Sequence, residues 1–192
     1  MNYLAHAYLS FGNPALLAGN IIADFVKGKQ IEKYPEELQQ GIKLHREIDE
    51  FTDFHPIVKD TKKVFEKSAG RYSGSFLDIV YDHFLALDVL REPQEGWLDF
   101  SHECYRVMDK YTRILPEDFI RLYSYMKKEN WLYNYRTQWL IKESFTRLTY
   151  RAKFLADNVD VYSDFEKNYF LLQDSYNEFF PELENAIKNK TV

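Results

Sequence analysis

The sequence of 192 residues contains a single cysteine, Cys104, the residue type that forms disulfides and binds zinc through sulfur. One cysteine excludes an intrachain disulfide framework and any zinc site built from four cysteines or from two cysteines and two histidines. Glycine and proline are scarce, at 7 and 6 residues, which argues against a turn-rich β-sandwich or a low-complexity chain. No apolar run reaches the ~18 residues of a transmembrane helix, and the N-terminal residues lack the pattern of a secretory signal. We therefore expect a cytoplasmic protein with no membrane span.

Charge and composition narrow the class further. The chain has 25 basic and 30 acidic residues, a formal net charge of −5, which argues against a nucleic-acid-binding domain driven by positive charge. Hydrophobic residues make up 45% of the chain and aromatic residues 17%, which suffices for a packed core and excludes global disorder. The length fits one domain, so we predict a single domain over residues 1–192.

Apolar residues recur at the three- and four-residue spacing of a helix through most of the chain. No convincing run of strict apolar–polar alternation is present, so the predicted fold is an all-α helical bundle. The clearest apolar stripes are Leu38, Ile42, Ile48 and Phe51, and then Phe76, Ile79, Val80, Phe84 and Leu87.

Glycine and proline divide this pattern into separate helices. The predicted early helices run from about Pro14 to Val26, Pro35 to Thr52, Pro56 to Ser68 and Ser75 to Leu87. Further breaks are expected near Pro116, Asn130 and Asp157, and Pro181 is expected to start the last turn.

Polar side chains recur four residues apart within the apolar helices of the first 90 residues. A four-residue spacing stacks two side chains on one helix face, and several such faces turned inward can build a polar cage, as in carboxylate metal sites. The members are Asn2 and His6; Asn20 and Asp24; His45, Asp49 and Asp53; and Asp78 and Asp82, with His83 adjacent.

Buried aspartates need a cation or dense hydrogen bonding, because a bare carboxylate is costly to bury. Imidazole mixed with carboxylate suits Mn²⁺, Fe²⁺ or Zn²⁺, whereas a carboxylate-dominated site suits Mg²⁺ or Mn²⁺. Such an ion can orient a phosphate ester and lower the pKa of a bound water. The pattern predicts a metal or phosphate site.

Each polar residue also has an ordinary structural interpretation. His6 fits a hydrogen-bonded core or surface histidine, and Asp24 fits a surface residue or a helix cap. His45 with Asp49 fits a pair on a solvated face, and Asp82 with His83 fits an exposed aspartate beside a core histidine. The case for a site depends on four helices sharing the pattern.

Several blocks of the sequence resemble the bacterial acyl carrier protein phosphodiesterases. The N-terminal blocks are specific as a set, and the likeness continues more weakly to the C-terminal part, so it covers nearly the whole chain. The blocks are Met1–Ser10, Gly19–Gly28, Gly41–Asp49, Phe51–Pro56, Arg71–Gly74, Asp78–Leu85, Trp131–Tyr135 and Phe179–Leu183.

The resemblance implies a helical fold distantly similar to HD-domain phosphohydrolases. It implies hydrolysis of the phosphodiester joining 4′-phosphopantetheine to a serine of holo-acyl carrier protein, with Mn²⁺ or a similar divalent ion required. Mg²⁺ and Fe²⁺ are the alternatives. An HD motif reads His-Asp, whereas the order here is Asp82-His83, so ligand assignments do not transfer directly from HD domains.

The resemblance and the polar pairs together give a mechanistic hypothesis. The metal ligands are expected among His6, Asp24, His45, Asp49 and His83, and the ion would bind a phosphate oxygen and activate water. The remaining role, that of base or of a residue orienting a ligand, falls to Asp78, Asp82 or His83.

A row of basic residues between residues 59 and 71 is a candidate surface for binding a partner. Lys59, Lys63 and Lys67 are spaced by four residues, with Lys62 beside them and Arg71 one further step along. A basic stripe on an acidic protein could steer an acidic carrier protein by charge, and an ordinary solvated lysine face is the alternative.

Two other functions are consistent with the same residues. A metal-dependent phosphohydrolase acting on a nucleotide or other small phosphodiester would use the same cage. A non-enzymatic helical binding module would use the polar pairs as core hydrogen bonds. The aromatic residues of the second half, such as Trp131 and Tyr135, are expected mainly in the core, with a groove for a pantetheine arm as the alternative. The sequence does not indicate the oligomeric state.

Overall fold

The computed structural model describes residues 1–92, 94–155 and 159–191. Within these ranges the regular structure is helical and no residue lies in a β-strand, which confirms the all-α prediction. None of the helices in these ranges combines the length and the apolar character that crossing a membrane requires. The α-helices are α1 (Tyr3–Tyr8), α2 (Pro14–Ile22), α3 (Glu36–Phe54), α4 (Pro56–Thr61), α5 (Glu66–Ala69), α6 (Ser73–Leu87), α7 (Gln94–Lys110), α8 (Glu117–Lys128), α9 (Trp131–Asn134), α10 (Gln138–Arg151), α11 (Val161–Lys167) and α12 (Tyr169–Thr191).

Two of the boundaries predicted at prolines differ in the structure. The helix predicted from about Pro56 to Ser68 is divided, because a 3-10 segment at Lys62–Phe65 separates α4 from α5. Pro181 lies inside α12 and does not start it. The helix continues because Phe180 and Leu183, on either side of the proline, are fully buried. The break predicted near Asp157 lies outside the described residues.

The core is built largely around α6, which is buried along most of its length. Its side chains contact α1 on one side and α10 and α12 on others. The apolar core reaches from Leu4 near the N-terminus to Ile187 in α12. The central position of α6 matters for function, because this helix carries Asp78, Asp82 and His83.

Helices α2 and α3 cross at two glycines. A Cβ atom placed on Gly19 would overlap the carbonyl oxygen of Leu38 and would lie 2.9 Å from the Cα of Gly41. A side chain at either glycine would therefore push the helices apart. The close crossing brings the turn after Gly19, with Asn20 and then Asp24, next to the turn of α3 that follows Gly41.

The short helix α1 is fixed by a carboxylate from α6. Asp82 is fully buried and accepts hydrogen bonds from the backbone N–H groups of Leu4 at 2.6 Å, Ala5 at 3.2 Å and Asn2 at 3.3 Å. These N–H groups lie at the start of a helix, where no carbonyl of the same helix can accept from them. The carboxylate thereby holds α1, and with it His6, at a defined place beside α3.

Candidate functional site

Two histidines and one aspartate meet between α1 and α3. His6, His45 and Asp49 can each offer one ligand atom, and these atoms all lie within 4.8 Å of one another. Both histidines are buried, whereas Asp49 is partly exposed. Three predicted site residues from two separate helices therefore form one cluster, which is called the His–Asp cluster below.

A backbone carbonyl orients the ring of His45. Its Nδ1 lies 2.9 Å from the carbonyl oxygen of Asn20 and can only donate there. Its Nε2 faces two carboxylates, at 3.3 Å from Asp24 Oδ1 and 3.1 Å from Asp49 Oδ2. A histidine held by a carbonyl on one nitrogen and free to bind through the other is the usual arrangement of a metal ligand.

The ring of His6 completes the cluster from α1. Its Nε2 lies 3.3 Å from Asp49 Oδ1 and 3.2 Å from the carbonyl oxygen of Met1, while its buried Nδ1 has no hydrogen-bond partner. The side-chain amide of Asn20 donates to the carbonyl oxygen of His6 at 2.8 Å. Asn20 therefore supports both histidines, one through its backbone and one through its side chain.

The pKa values of the two histidines are shifted in opposite directions. Burial opposes a charge on His45, but the hydrogen bonds to Asp24 and Asp49 outweigh it and raise its pKa to about 9. Burial, together with the charge on His45, lowers the pKa of His6 to about 4. Burial acts to raise the pKa of Asp49, but the two histidines hold that pKa well below its usual range. Asp24 also has a lowered pKa, chiefly through its hydrogen bond with His45.

Asp78 lies at the edge of the His–Asp cluster. Its carboxylate is 3.1 Å from the α-amino nitrogen of Met1, which is also 3.4 Å from Asp49. Burial raises the pKa of Asp78, although the amino group of Met1 opposes the shift. Asp78 therefore holds a proton more readily than an exposed aspartate does.

The structure places Asp82 and His83 outside the cluster. Asp82 is occupied by the start of α1, and burial raises its pKa to about 7 against the backbone N–H donors. His83 Nδ1 lies 2.7 Å from the carbonyl oxygen of Tyr135, and its Nε2 lies 3.0 Å from the hydroxyl of Tyr169. Both ring nitrogens of His83, which was predicted as a metal ligand or base, thus have partners in the core and lie outside the cluster.

A polar cavity and an apolar groove meet at the His–Asp cluster. The polar cavity, of about 700 Å³, is lined by Met1, Asp49, Asp53, Lys62, Glu66, Gly70, Arg71, Ser73, Gly74, Ser75 and Asp78. The apolar groove, of about 750 Å³, is lined by Met1, Asn2, Tyr3, Asp24, Phe25, Ser75, Asp78, Ile79, Leu122, Trp131, Tyr135, Ser144, Thr146, Arg147, Leu148, Tyr150 and Arg151. Met1, Ser75 and Asp78 belong to both, so the two spaces join beside the cluster.

The predicted basic stripe is not one continuous helix face. Lys62 lines the polar cavity, whereas Lys63 pairs with Asp60 at 2.7 Å and Lys59 lies over the ring of Phe54. Lys67 is exposed. The 3-10 segment between α4 and α5 changes the angular spacing of the side chains, which disrupts the alignment expected from a four-residue repeat.

Sequence reasoning missed several residues around the cluster. The contact between the backbone carbonyl of Asn20 and His45 could not be predicted, because every residue has a backbone carbonyl and the sequence does not show which one faces a histidine. The groove residues Ser144, Arg147 and Arg151 lie more than 60 positions from Asp78, on an ordinary amphipathic helix. Asp78 itself was predicted from its spacing to Asp82.

The donor set fits a divalent cation. Imidazole nitrogens of His6 and His45 and the carboxylates of Asp49 and Asp24 form a mixed nitrogen–oxygen set of the kind that binds Mn²⁺ or Fe²⁺. The unpartnered Nδ1 of His6 and the carbonyl-held Nδ1 of His45 add to this fit. The fold and the site together define a class, namely an all-α protein whose facing helices build a polar site suited to metal.

The comparisons with known proteins give the family. The family model described as acyl carrier protein phosphodiesterase matches residues 1–183. The chain belongs to this acyl carrier protein phosphodiesterase family.

Three relatives named "Acyl carrier protein phosphodiesterase" illustrate the likeness. The protein of Enterobacter sp. (strain 638) is 31% identical over 193 residues and covers 100% of both chains. The protein of Photorhabdus laumondii is 30% identical over 191 residues, 99% of this chain and 96% of its own. The protein of Escherichia coli O45:K1 is 31% identical over 196 residues, again 100% of both chains. No solved structure matches the chain, so the likeness to HD-domain proteins stays a prediction.

Proposed function

We propose that the protein hydrolyses the phosphodiester between 4′-phosphopantetheine and a serine of holo-acyl carrier protein, giving the apo-carrier and 4′-phosphopantetheine. The observation that carries this proposal is the position of the His–Asp cluster at the junction of two cavities. A phosphodiester has two ester arms, and the junction gives each arm its own space. The family name of the relatives supports the substrate.

The proposal includes a divalent ion, Mn²⁺ first, with Mg²⁺ and Fe²⁺ as alternatives. His6, His45 and Asp49 would hold it, with Asp24 beside His45. When bound, such an ion neutralises phosphate charge and lowers the pKa of a water. The carbonyl of Asn20 orients the ring of His45, and its side-chain amide holds the backbone of His6, so both elements are positioned before an ion arrives.

Asp78 is the residue proposed to transfer the proton. In the reaction the oxygen of water bonds to phosphorus, the bond from phosphorus to the serine oxygen breaks, and the serine oxygen takes a proton. Asp78 faces both cavities, and burial raises its pKa, which favours a role in giving or taking a proton. Asp82 and His83 are occupied by α1 and by the core, which leaves Asp78 among the three candidates.

The polar cavity is the proposed side for the carrier protein. Lys62 and Arg71 line it and would attract an acidic partner. The exposed lysines Lys59, Lys63 and Lys67 lie nearby in sequence and would add long-range attraction. A cytoplasmic location is part of the proposal, in keeping with the free, buried thiol of Cys104.

A turnover assay tests the function. The purified protein is stripped with chelator, resupplied with Mn²⁺ and mixed with holo-acyl carrier protein, and intact-mass spectrometry follows the carrier. Loss of the phosphopantetheine group with Mn²⁺, and not with the stripped protein, is the expected result. An unchanged carrier beside rapid hydrolysis of bis(4-nitrophenyl) phosphate would indicate another phosphodiester as the substrate. An unchanged carrier with no bound metal would support a binding module.

A further inference from the structure

We infer that the apolar groove binds the pantetheine arm of the substrate and that the polar cavity receives the carrier-protein side. This assignment rests on the proposed function and goes beyond it by giving each ester arm a place. The family name is silent on which cavity takes which arm.

The arm is amphipathic along its whole length. Outward from the phosphate it has a methylene, a carbon with two methyl groups and a carbon with a hydroxyl. Two amides joined by short methylene chains and a terminal thiol follow. A matching site needs apolar walls with a few hydrogen-bonding groups and no dense charge. A strongly charged cavity would have to lose water from its charges without gaining partners from such an arm.

The groove is closer to this composition than the polar cavity, since 4 of its 17 lining residues have charged side chains, against 6 of 11 in the polar cavity. Its apolar wall comes from the side chains of Phe25, Ile79, Leu122 and Trp131, and hydroxyl groups such as that of Ser144 lie among them. Its volume of about 750 Å³ falls within the ~300–1,000 Å³ typical of small-molecule sites. Ile79 and Trp131 are buried and are packed as parts of the core, so the wall is formed before a ligand binds.

The groove begins at the His–Asp cluster. Asp24, which lies 3.3 Å from His45, and Asp78 both line it. A phosphate held at the cluster would place the methyl-bearing carbon of the arm at the near end of the apolar wall. Tyr150, which is 92% exposed, lies at a rim, so the end that carries the thiol can reach solvent.

The polar cavity suits the other ester arm. Its lining is dominated by charged and hydroxyl side chains, including Asp53, Glu66, Lys62 and Arg71. The serine and the protein surface around it are polar, and Lys62 and Arg71 are the cations that would contact an acidic carrier in a lining that also holds four carboxyl groups. The more apolar groove thus matches the pantetheine arm, and the polar cavity matches the polar carrier-protein side of the substrate.

Filling the groove tests the assignment. Ser144 is half-buried on α10, and Ser144→Trp would occupy the groove; Thr146→Trp, from an exposed position of the same wall, is the second variant in case the first fails to fold. Gly74→Trp fills the polar cavity instead, at a position where a Cβ meets no atom within 4 Å. Ser124→Trp, at an exposed serine of α8 outside both lining sets, is the control for an added indole.

The measurement is calorimetric binding of free 4′-phosphopantetheine and of pantetheine, which lacks the phosphate. We expect Ser144→Trp or Thr146→Trp to raise both dissociation constants about tenfold or more, and Gly74→Trp and Ser124→Trp to change them by less than about threefold. The reverse pattern, with Gly74→Trp weakening binding and the groove variants binding normally, overturns the assignment. No binding of either compound to the wild-type protein overturns it too.

Kinetics separate this inference from the proposed function. We expect the groove variants to lose about tenfold or more in kcat/KM for holo-acyl carrier protein, relative to their change with bis(4-nitrophenyl) phosphate. If the wild-type protein binds free 4′-phosphopantetheine in the groove but does not cleave the group from the holo-carrier, the proposed function is rejected and the groove assignment is kept. If both groove variants turn over holo-acyl carrier protein at the wild-type rate, the groove assignment is rejected and the proposed function is kept.

Discussion

The imidazole rings of His6 and His45 stack face to face, with ring centroids 3.9 Å apart and an interplanar angle of 13°. Two protonated imidazoles would repel each other at this distance, in keeping with the opposite directions in which the pKa values of the two rings are shifted. Asp49 contacts the Nε2 atoms of both rings. The arrangement gathers nitrogen donors within reach of one cation.

Replacing Asp49 by asparagine tests the cluster as a metal site. The amide keeps the shape of the side chain but removes the negative charge that lies 3.1 Å from His45 Nε2. We expect Asp49→Asn to weaken Mn²⁺ binding by more than the ~10–100-fold typical of an outer-shell partner. Calorimetric titration of the stripped protein with Mn²⁺ gives the affinity.

Asp53→Asn is the matched control, because Asp53 lies one turn further along α3 and is exposed. This variant is expected to bind Mn²⁺ with wild-type affinity. Equal weakening in Asp49→Asn and Asp53→Asn would point to a general loss of negative charge and would reject the cluster. Circular dichroism shows whether each variant keeps its helices.

Asp78→Asn tests the proposed proton transfer. Loss of an acid or base typically costs about 10²–10⁴-fold in rate, and we expect a fall in kcat of this size. The pH dependence of kcat should lose one limb, because asparagine does not titrate. Stopped-time mass spectrometry of the carrier from pH 5.5 to 9 measures both effects. A wild-type pH profile in the variant would exclude Asp78 from proton transfer.

The four-residue spacing predicted side chains that the structure brings together, and it did not predict what surrounds them. His6, Asp24, His45 and Asp49 lie close together, as expected where polar residues four apart share a helix face. His83 was predicted together with Asp82, but neighbouring residues of a helix point in different directions and do not meet the same partner. In the structure one faces α1 and the other faces Tyr135.

The grouping of distant helices was not predictable from spacing. The groove combines Tyr3 of α1, Leu122 of α8 and Leu148 of α10, and no local pattern states that these helices meet. Pro181 is a second example. From the sequence a proline is expected to begin a helical turn, but in the structure α12 continues through Pro181, because residues around it are packed in the core. Composition and period were sufficient for the all-α class because they are properties of single helices.

The close contact of α2 and α3 at Gly19 and Gly41 predicts an effect on both protein stability and Mn²⁺ binding. Gly41→Ala would place a Cβ atom 2.5 Å from the carbonyl oxygen of Leu16, and helix backbones cannot adjust as a flexible side chain would. We expect a loss of roughly 1–3 kcal/mol in the free energy of unfolding, from overpacking. Because α2 moves away from α3, Asp24 moves from His45, so Mn²⁺ affinity should fall as well.

Gly74→Ala is the comparison for this change. Gly74 lies in the first turn of α6, and a Cβ there meets no atom within 4 Å. Alanine favours the helix by up to about 1 kcal/mol over glycine, so the variant should be as stable as the wild-type protein or slightly more stable. Urea unfolding of both variants, followed by circular dichroism, decides the point. A Gly41→Ala protein of wild-type stability would contradict the close crossing.

His83 predicts how stability depends on pH. Burial lowers its pKa in the folded protein, so its charged form is disfavoured there relative to the unfolded chain. Its stabilising contribution is complete above the unfolded pKa of about 6.5 and is lost as the pH falls toward the folded pKa. The loss is at most about 1.4 kcal/mol per pH unit in the free energy of unfolding.

The test compares His83→Gln with His102→Gln in urea unfolding at pH 7.5 and at pH 5.5. His6, whose pKa is also lowered, contributes to the slope of every variant, so the informative quantity is the difference between variants. His83→Gln should lose less stability than the wild type on acidification, although glutamine lowers its stability at pH 7.5 by disturbing the bonds to Tyr135 and Tyr169. His102 is exposed on α7, and its variant should keep the wild-type slope. Equal slopes in all three proteins would show that His83 takes up its proton as readily in the core as in water.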